Sequence, residues 1–136
     1  ALHDVDEIAY RFDAGSGEHA RAVFFGGDTL PTREIEALAI RAPVDLAVLP
    51  ADAGSLLGKR WVMNPSEAIA MAERFGVRAR GRGALLTHHE YVAAFPWTAI
   101  VDVHNPPKRA DFPAWFHIPT PGEHIAFPWQ TAWSAS

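Results

Sequence analysis

Ala22-Val23-Phe24-Phe25-Gly26-Gly27-Asp28-Thr29 is the stretch on which the fold of this chain turns. Four apolar residues are too few for a useful helix and suit a strand inside a core. The two glycines then let the backbone turn sharply as the strand ends. That turn leaves a carboxylate, Asp28, beyond the carboxyl end of a strand, where open α/β sheets gather their ligands. The same residues also fit a plain turn in which Asp28 caps the next helix or bonds its own backbone.

Upstream, Glu7 to Phe12 alternates in polarity and Asp13-Ala14-Gly15-Ser16-Gly17-Glu18 is polar and turn-forming. The spacing predicts a hairpin whose second strand, Ala22 to Phe25, is buried on both faces. Downstream of Pro31, Ile35, Leu38 and Ala39 fall at i, i+3 and i+4, which predicts a helix to about Arg41. Val44 to Leu49 is a short apolar run ended by Pro50 and reads as a central strand. Residues 51 to 63 carry no period and read as a loop.

Asn64-Pro65-Ser66-Glu67 offers an N-cap side chain, a proline at N1 and a glutamate at N3, so a second helix starts there. Ala68, Ala72 and Phe75 line one face of it, Ile69 and Met71 widen that face, and Gly76 is placed to stop it. Ala84 to Thr87 is another short strand, running into His88 and His89. Trp97 to Val103 fits either a helix face or a strand, while Trp115 to Ile118 and His124 to Phe127 flank Pro121-Gly122 like a terminal hairpin. Strands alternating with helices predict an α/β layered fold in one domain spanning residues 1–136.

With 136 residues, 49% of them hydrophobic, the chain can build one core but not two. A formal net charge of -4 opposes the broad positive field that a phosphate backbone requires, so the expected partner is a small molecule or a short phosphodiester rather than bulk nucleic acid. No apolar run approaches the roughly 20 residues that span a bilayer, and no membrane partner is expected. The absence of cysteine removes disulfides, zinc–thiolate sites and thiol nucleophiles, and fits a reducing, cytoplasmic compartment. Any metal must therefore bind through histidine and carboxylate. The chain starts at Ala1 and enters strand-like sequence almost at once, which gives the expectation of a fragment or processed piece.

Thr87-His88-His89-Glu90 places two imidazoles and a carboxylate at a strand end. Neighbouring residues on a strand point to opposite faces, so one of His88 and His89 shares a site with Asp28 unless the strand has already ended. His3 lies just before the first strand. Each group alone also has a plain reading: Asp28 as a turn residue, His88 and His89 as polar residues beginning a loop, and His3 as a solvated terminal histidine. Together they make a rim of histidine and carboxylate that zinc, iron or manganese would accept. His19, His104, His117 and His124 read as surface or structural residues, Trp97, Trp115, Trp129 and Trp133 as packing, and Arg78, Arg80 and Arg82 as a solvated loop.

At these residues the chain resembles the metallo-β-lactamase superfamily, in its ribonuclease-Z-like and related branches. Gly26-Gly27-Asp28-Thr29 looks like the "GDT" strand end, Val44 to Pro50 like the following "pDlallP" strand, and Asn64-Pro65-Ser66-Glu67-Ala68 like the "xPeEA" helix start. Leu86-Thr87-His88 is similar to "lTH", His3 with Tyr10-Arg11-Phe12 to "H…aYRf", and the closing Pro121-Gly122-Glu123 to a loose "pGe" pattern. The segments from residue 3 to about residue 95 fall in the family's order. The family's defining His-x-His-x-Asp-His cluster, however, is absent from this sequence.

The resemblance implies the C-terminal half of an αββα sandwich, a mixed sheet with helices on one face. It implies a binuclear site for two divalent ions, zinc first with iron or manganese as alternatives, and a metal-activated water attacking a phosphodiester, ester or lactone. In that picture Asp28 and His88 are catalytic and His3, Asp28 and His88 are ligands, with His89 as the alternative to His88; His89, Glu90 and Thr29 stand behind them. Lacking the N-terminal half, the chain alone is expected to bind metal weakly and to be inactive, and to associate with that half or with a second copy. The alternative is a fragment of the same fold without catalysis, acting as a scaffold or interaction domain.

Overall fold

A computed structural model describes residues 8–56, 58–77, 83–87, 101–102, 107–120 and 122–125. Strands β1 (Tyr10–Ala14) and β2 (Arg21–Phe25) form an antiparallel hairpin with Tyr10 opposite Phe25 and Ala14 opposite Arg21. The first strand begins and ends later than its alternation predicts. Arg11 grips Asp13 through two bonds of 2.8 and 2.9 Å on one side of the ribbon, which holds Asp13 and Ala14 extended. The turn needs Gly15, at φ +77°, because a Cβ there would lie 2.5 Å from the His19 carbonyl oxygen.

Helix α1 (Arg33–Arg41) follows β2, with the Thr32 hydroxyl accepting from Ile35 N–H at 3.3 Å. Strand β3 (Leu46–Pro50) then lies parallel to β2, central in the sheet as its apolar run predicts. Helix α2 (Pro65–Arg74) starts with the predicted reciprocal cap: Glu67 N–H donates to Asn64 Oδ1 at 2.9 Å and Asn64 N–H to Glu67 Oε2 at 3.0 Å. Strand β6 (Ala84–Thr87) runs parallel to β3. Residues 51 to 63 are not wholly loop. They hold β4 (Ser55–Leu56) and β5 (Lys59–Arg60), which join β7 (Val101–Asp102) in a separate three-stranded sheet. Strands of two residues are too short to show a period.

Strand β8 (Phe116–His117) pairs parallel with β6 instead of forming the near arm of a terminal hairpin; residues 126 and 127 of the far arm lie outside the described residues. The main sheet therefore has the order β1-β2-β3-β6-β8, mixed in direction. With two α-helices among the described residues this is an α/β fold. Among the described residues no helix is long and apolar enough to cross a membrane.

Register divides the sheet into two unlike faces. Phe24, Ala47, Ala84 and Phe116 form a row across four strands, all buried. Both helices serve this face. Phe75 of the α2 end stacks on Phe24 with ring centroids 4.4 Å apart, and Ala39, Ala68, Met71 and Ala72 join the same cluster. Alanines at 47, 68, 72 and 84 keep helix and sheet close. On the opposite face Tyr10, Phe25, Val48, Leu85 and His117 form a second row across all five strands. Tyr10, Phe12 and Phe25 there are exposed, and Val48 and Leu85 are half-buried. Strand β2 is thus buried on one face, not on two.

Candidate functional site

Strands β2, β3 and β6 are mutually parallel, so their carboxyl ends share one edge of the sheet. Strand β1 is antiparallel to β2, and its first residue, Tyr10, meets Phe25 at that same edge. Phe25, Pro50, Thr87 and Tyr10 are therefore brought to one rim by backbone pairing alone.

At the end of β2, Gly26 N–H still donates to Val48 O at 2.9 Å, so the ladder continues one residue past the strand. A Cβ on Gly26 would lie 3.1 Å from the Thr29 hydroxyl and 3.4 Å from Leu49, tighter than a side chain normally sits. Gly27 then takes φ +60°, a conformation glycine adopts without strain. Asp28 emerges exposed, while Thr29 beside it is buried. The Thr29 carbonyl accepts from Met63 N–H at 3.0 Å, which fixes the rim beneath Asp28. Helix α1 is capped by Thr32, so the helix-cap role open to Asp28 in the sequence falls to another residue.

The resemblance puts Thr29 behind the metal ligands. Its hydroxyl is buried and finds no hydrogen-bond partner among the described residues, and the same holds for the Thr87 hydroxyl at the end of β6. His3, His88, His89 and Glu90 lie outside the described residues, as do Arg78, Arg80, Arg82, His104, Trp97, Trp129 and Trp133. Among the described residues no group of three or more histidines or carboxylates is placed to hold a metal ion.

Two acids of structural weight are missed by the sequence reading. Asp52 stands two residues beyond β3 on the same rim, its Oδ1 accepting from Gly54 N–H at 2.8 Å. Its place past a strand end is the same signal that picks out Asp28. Asp45 is buried ahead of β3, and its Oδ2 accepts from Ala22 N–H at 2.7 Å. That acid belongs to the far edge, where Arg11, Asp13, Arg21 and Asp45 border a shallow recess of about 170 Å³. The recess is below the range of ordinary ligand pockets, about 300 Å³ upward.

The remaining residues take the structural roles expected of them. His19 and His124 are exposed, Trp115 is buried in the core, and His117 lies 3.1 Å from Glu123. The carboxyl of Glu123 is held below its usual value near 4.5, first by the Thr120 backbone N–H, against an opposing desolvation, with His117 adding to the lowering.

Neither a family model nor any curated protein or solved structure matches the chain.

Proposed function

We propose that this chain is the C-terminal half of a metal-dependent hydrolase domain of the metallo-β-lactamase kind, contributing Asp28 and His88 to a binuclear site. The observation that carries the reading is the shared edge at which β2 and β6 end, with Gly26-Gly27-Asp28 following β2 and Thr87, the last residue before His88 in the sequence, closing β6. The two strands flank β3, so they stand roughly 10 Å apart.

The donor chemistry of the rim supports such a site. Asp28 is an exposed carboxylate on a backbone pinned on both sides, and the cysteine-free sequence leaves histidine and carboxylate as the ligand types. Asp28 would bridge two ions, with His3 and His88 completing their shells and His89 as the alternative to His88. His89 and Glu90 would orient ligands or carry protons, and Thr29 would support Asp28 from below. When bound, zinc, iron or manganese supplies an acidified water for attack on a phosphodiester, ester or lactone. The open apolar face of the sheet supports the half-domain reading, because sheet-on-sheet sandwiches bury such a face against a second sheet. That face also favours a second reading, a non-catalytic interaction domain of the same fold.

Metal content and hydrolysis of bis(p-nitrophenyl) phosphate separate the two. They should be measured for this chain alone and for a version carrying the upstream half with its His-x-His-x-Asp-His cluster. Metal and turnover only in the longer protein, both lost in Asp28→Ala, are the expected results. Equal stoichiometric metal in both, or full activity in Asp28→Ala, overturns the assignment.

A further inference from the structure

Strand β1 stands at the end of the main sheet, and among the described residues no strand pairs with its outer side. Tyr10 and Phe12 on it are exposed, with their rings stacked on the open face. An edge strand offers unpaired N–H and C=O groups, a ready template for another strand. Charged side chains ordinarily discourage such pairing, and β1 carries two, Arg11 and Asp13. Both lie on the helix side of the sheet, in register with Phe24 and Ala22.

The order of those charges selects the strand that fits. Two copies of β1 paired antiparallel about a two-fold axis at Phe12 set Arg11 opposite the second copy's Asp13, and Asp13 opposite its Arg11, so both charges are met across the seam. On the open face Phe12 then meets Phe12, and the large Tyr10 meets the small Ala14. Moving the axis to Arg11 or to Asp13 sets like charges face to face. The Asp13 side chain stays 63% exposed with Arg11 2.8 Å away, which leaves its carboxylate room for a second guanidinium. Arg11 is already held by the Ala42 carbonyl at 2.6 Å, so pairing costs it little further order.

We infer that β1 is a dimerisation edge, which pairs antiparallel with β1 of a second copy in the register that opposes Arg11 to Asp13. The pairing is independent of the hydrolase reading and uses the edge of the sheet rather than its face.

Sedimentation of the chain over a concentration series should show the dimer. Arg11→Asp and Asp13→Arg each place two like-charge pairs at the seam and should each weaken association about tenfold. An equimolar mixture of the two variants sets opposite charges at both positions again and should associate close to the parent. Asp13→Arg keeps the Arg11 bonds to Ala42 and Pro43, so it carries the test by itself if Arg11→Asp does not fold. Cross-linking reads the register. The sequence has no cysteine, so an introduced one can bond only to its copy. Opposed residues of an antiparallel pair have Cα atoms about 4.5–5.5 Å apart, within disulfide reach, whereas Tyr10 and its copy would lie about 14 Å apart. Mild oxidation should therefore link Phe12→Cys and leave Tyr10→Cys largely unlinked. A monomeric parent, a dimer indifferent to the charge reversals, no recovery on mixing the two folded variants, or equal linking of both cysteines overturns the inference.

Discussion

Asp45 and Ala22 hold each other twice: Ala22 N–H donates to the Asp45 carboxylate at 2.7 Å, and Asp45 N–H donates to the Ala22 carbonyl at 2.8 Å. The pair joins the start of β2 to the approach of β3 and so sets the register that later carries Gly26 past Val48. Asp45→Ala leaves a buried N–H without its acceptor and should cost about 1–3 kcal/mol. Asp45→Asn keeps an oxygen in place and should cost less. Urea unfolding monitored by circular dichroism measures both; an alanine variant within a few tenths of a kcal/mol of the parent would show that the pair does not set the register.

Relief of strain gives a prediction of opposite sign. Ala53 adopts φ +56°, where glycine carries no Cβ penalty. Ala53→Gly should stabilise the chain by about 1 kcal/mol in the same denaturation experiment, since the left-handed cost outweighs the added freedom of glycine when unfolded. A destabilised glycine variant would mean that the φ value is not strained in solution.

The turn at the end of β8 responds to acid. Glu123 accepts from Thr120 N–H at 2.8 Å and faces His117 at 3.1 Å, and its carboxyl titrates below the usual value near 4.5. A depressed carboxylate contributes its stabilisation above the unfolded-state value and loses it as pH falls through the folded value. The turn should therefore be fully formed above about pH 5 and loosen in more acid solution. Carboxyl NMR of Glu123 reports this directly. An unshifted titration, or a Thr120 amide indifferent to acid, would remove the coupling.

Elements with local signals are readable from sequence. The Asn64–Glu67 cap, the spacing of Ile35, Leu38 and Ala39, and the apolar runs of β2, β3 and β6 each declare themselves within a few residues. Pairings made across long stretches do not. Nothing near Phe116 and His117 announces a parallel partner in Ala84 and Leu85, and β4 and β5 are too short to leave a pattern. The sidedness of β2 is hidden for another reason. Ala22 to Phe25 is apolar throughout, and only the register with Tyr10 and Phe12 shows which residues stay open to solvent. At the rim, a position past a strand end singles out Asp28, yet Pro50-Ala51-Asp52 has the same form without the paired glycines that draw the eye to Asp28.

That open face yields the last prediction. Phe12 pairs with Val23, Tyr10 with Phe25, and the rings of Tyr10 and Phe12 stack 6.1 Å apart on the side away from the helices. In the chain alone Phe12 is 59% exposed, so Phe12→Glu removes little packing and should shift unfolding by no more than about 0.5 kcal/mol. In a two-sheet assembly the same charge would be buried without a partner, at a cost of several kcal/mol. Phe12→Glu should therefore leave the isolated chain folded while abolishing its association with a separately expressed upstream half, as read by sedimentation. Phe24→Ala provides the contrast: on the buried face it should cost about 3–5 kcal/mol within the chain itself. Undiminished association of Phe12→Glu with the upstream half would show that the exposed row is not the contact, and the half-domain reading would lose its main structural support.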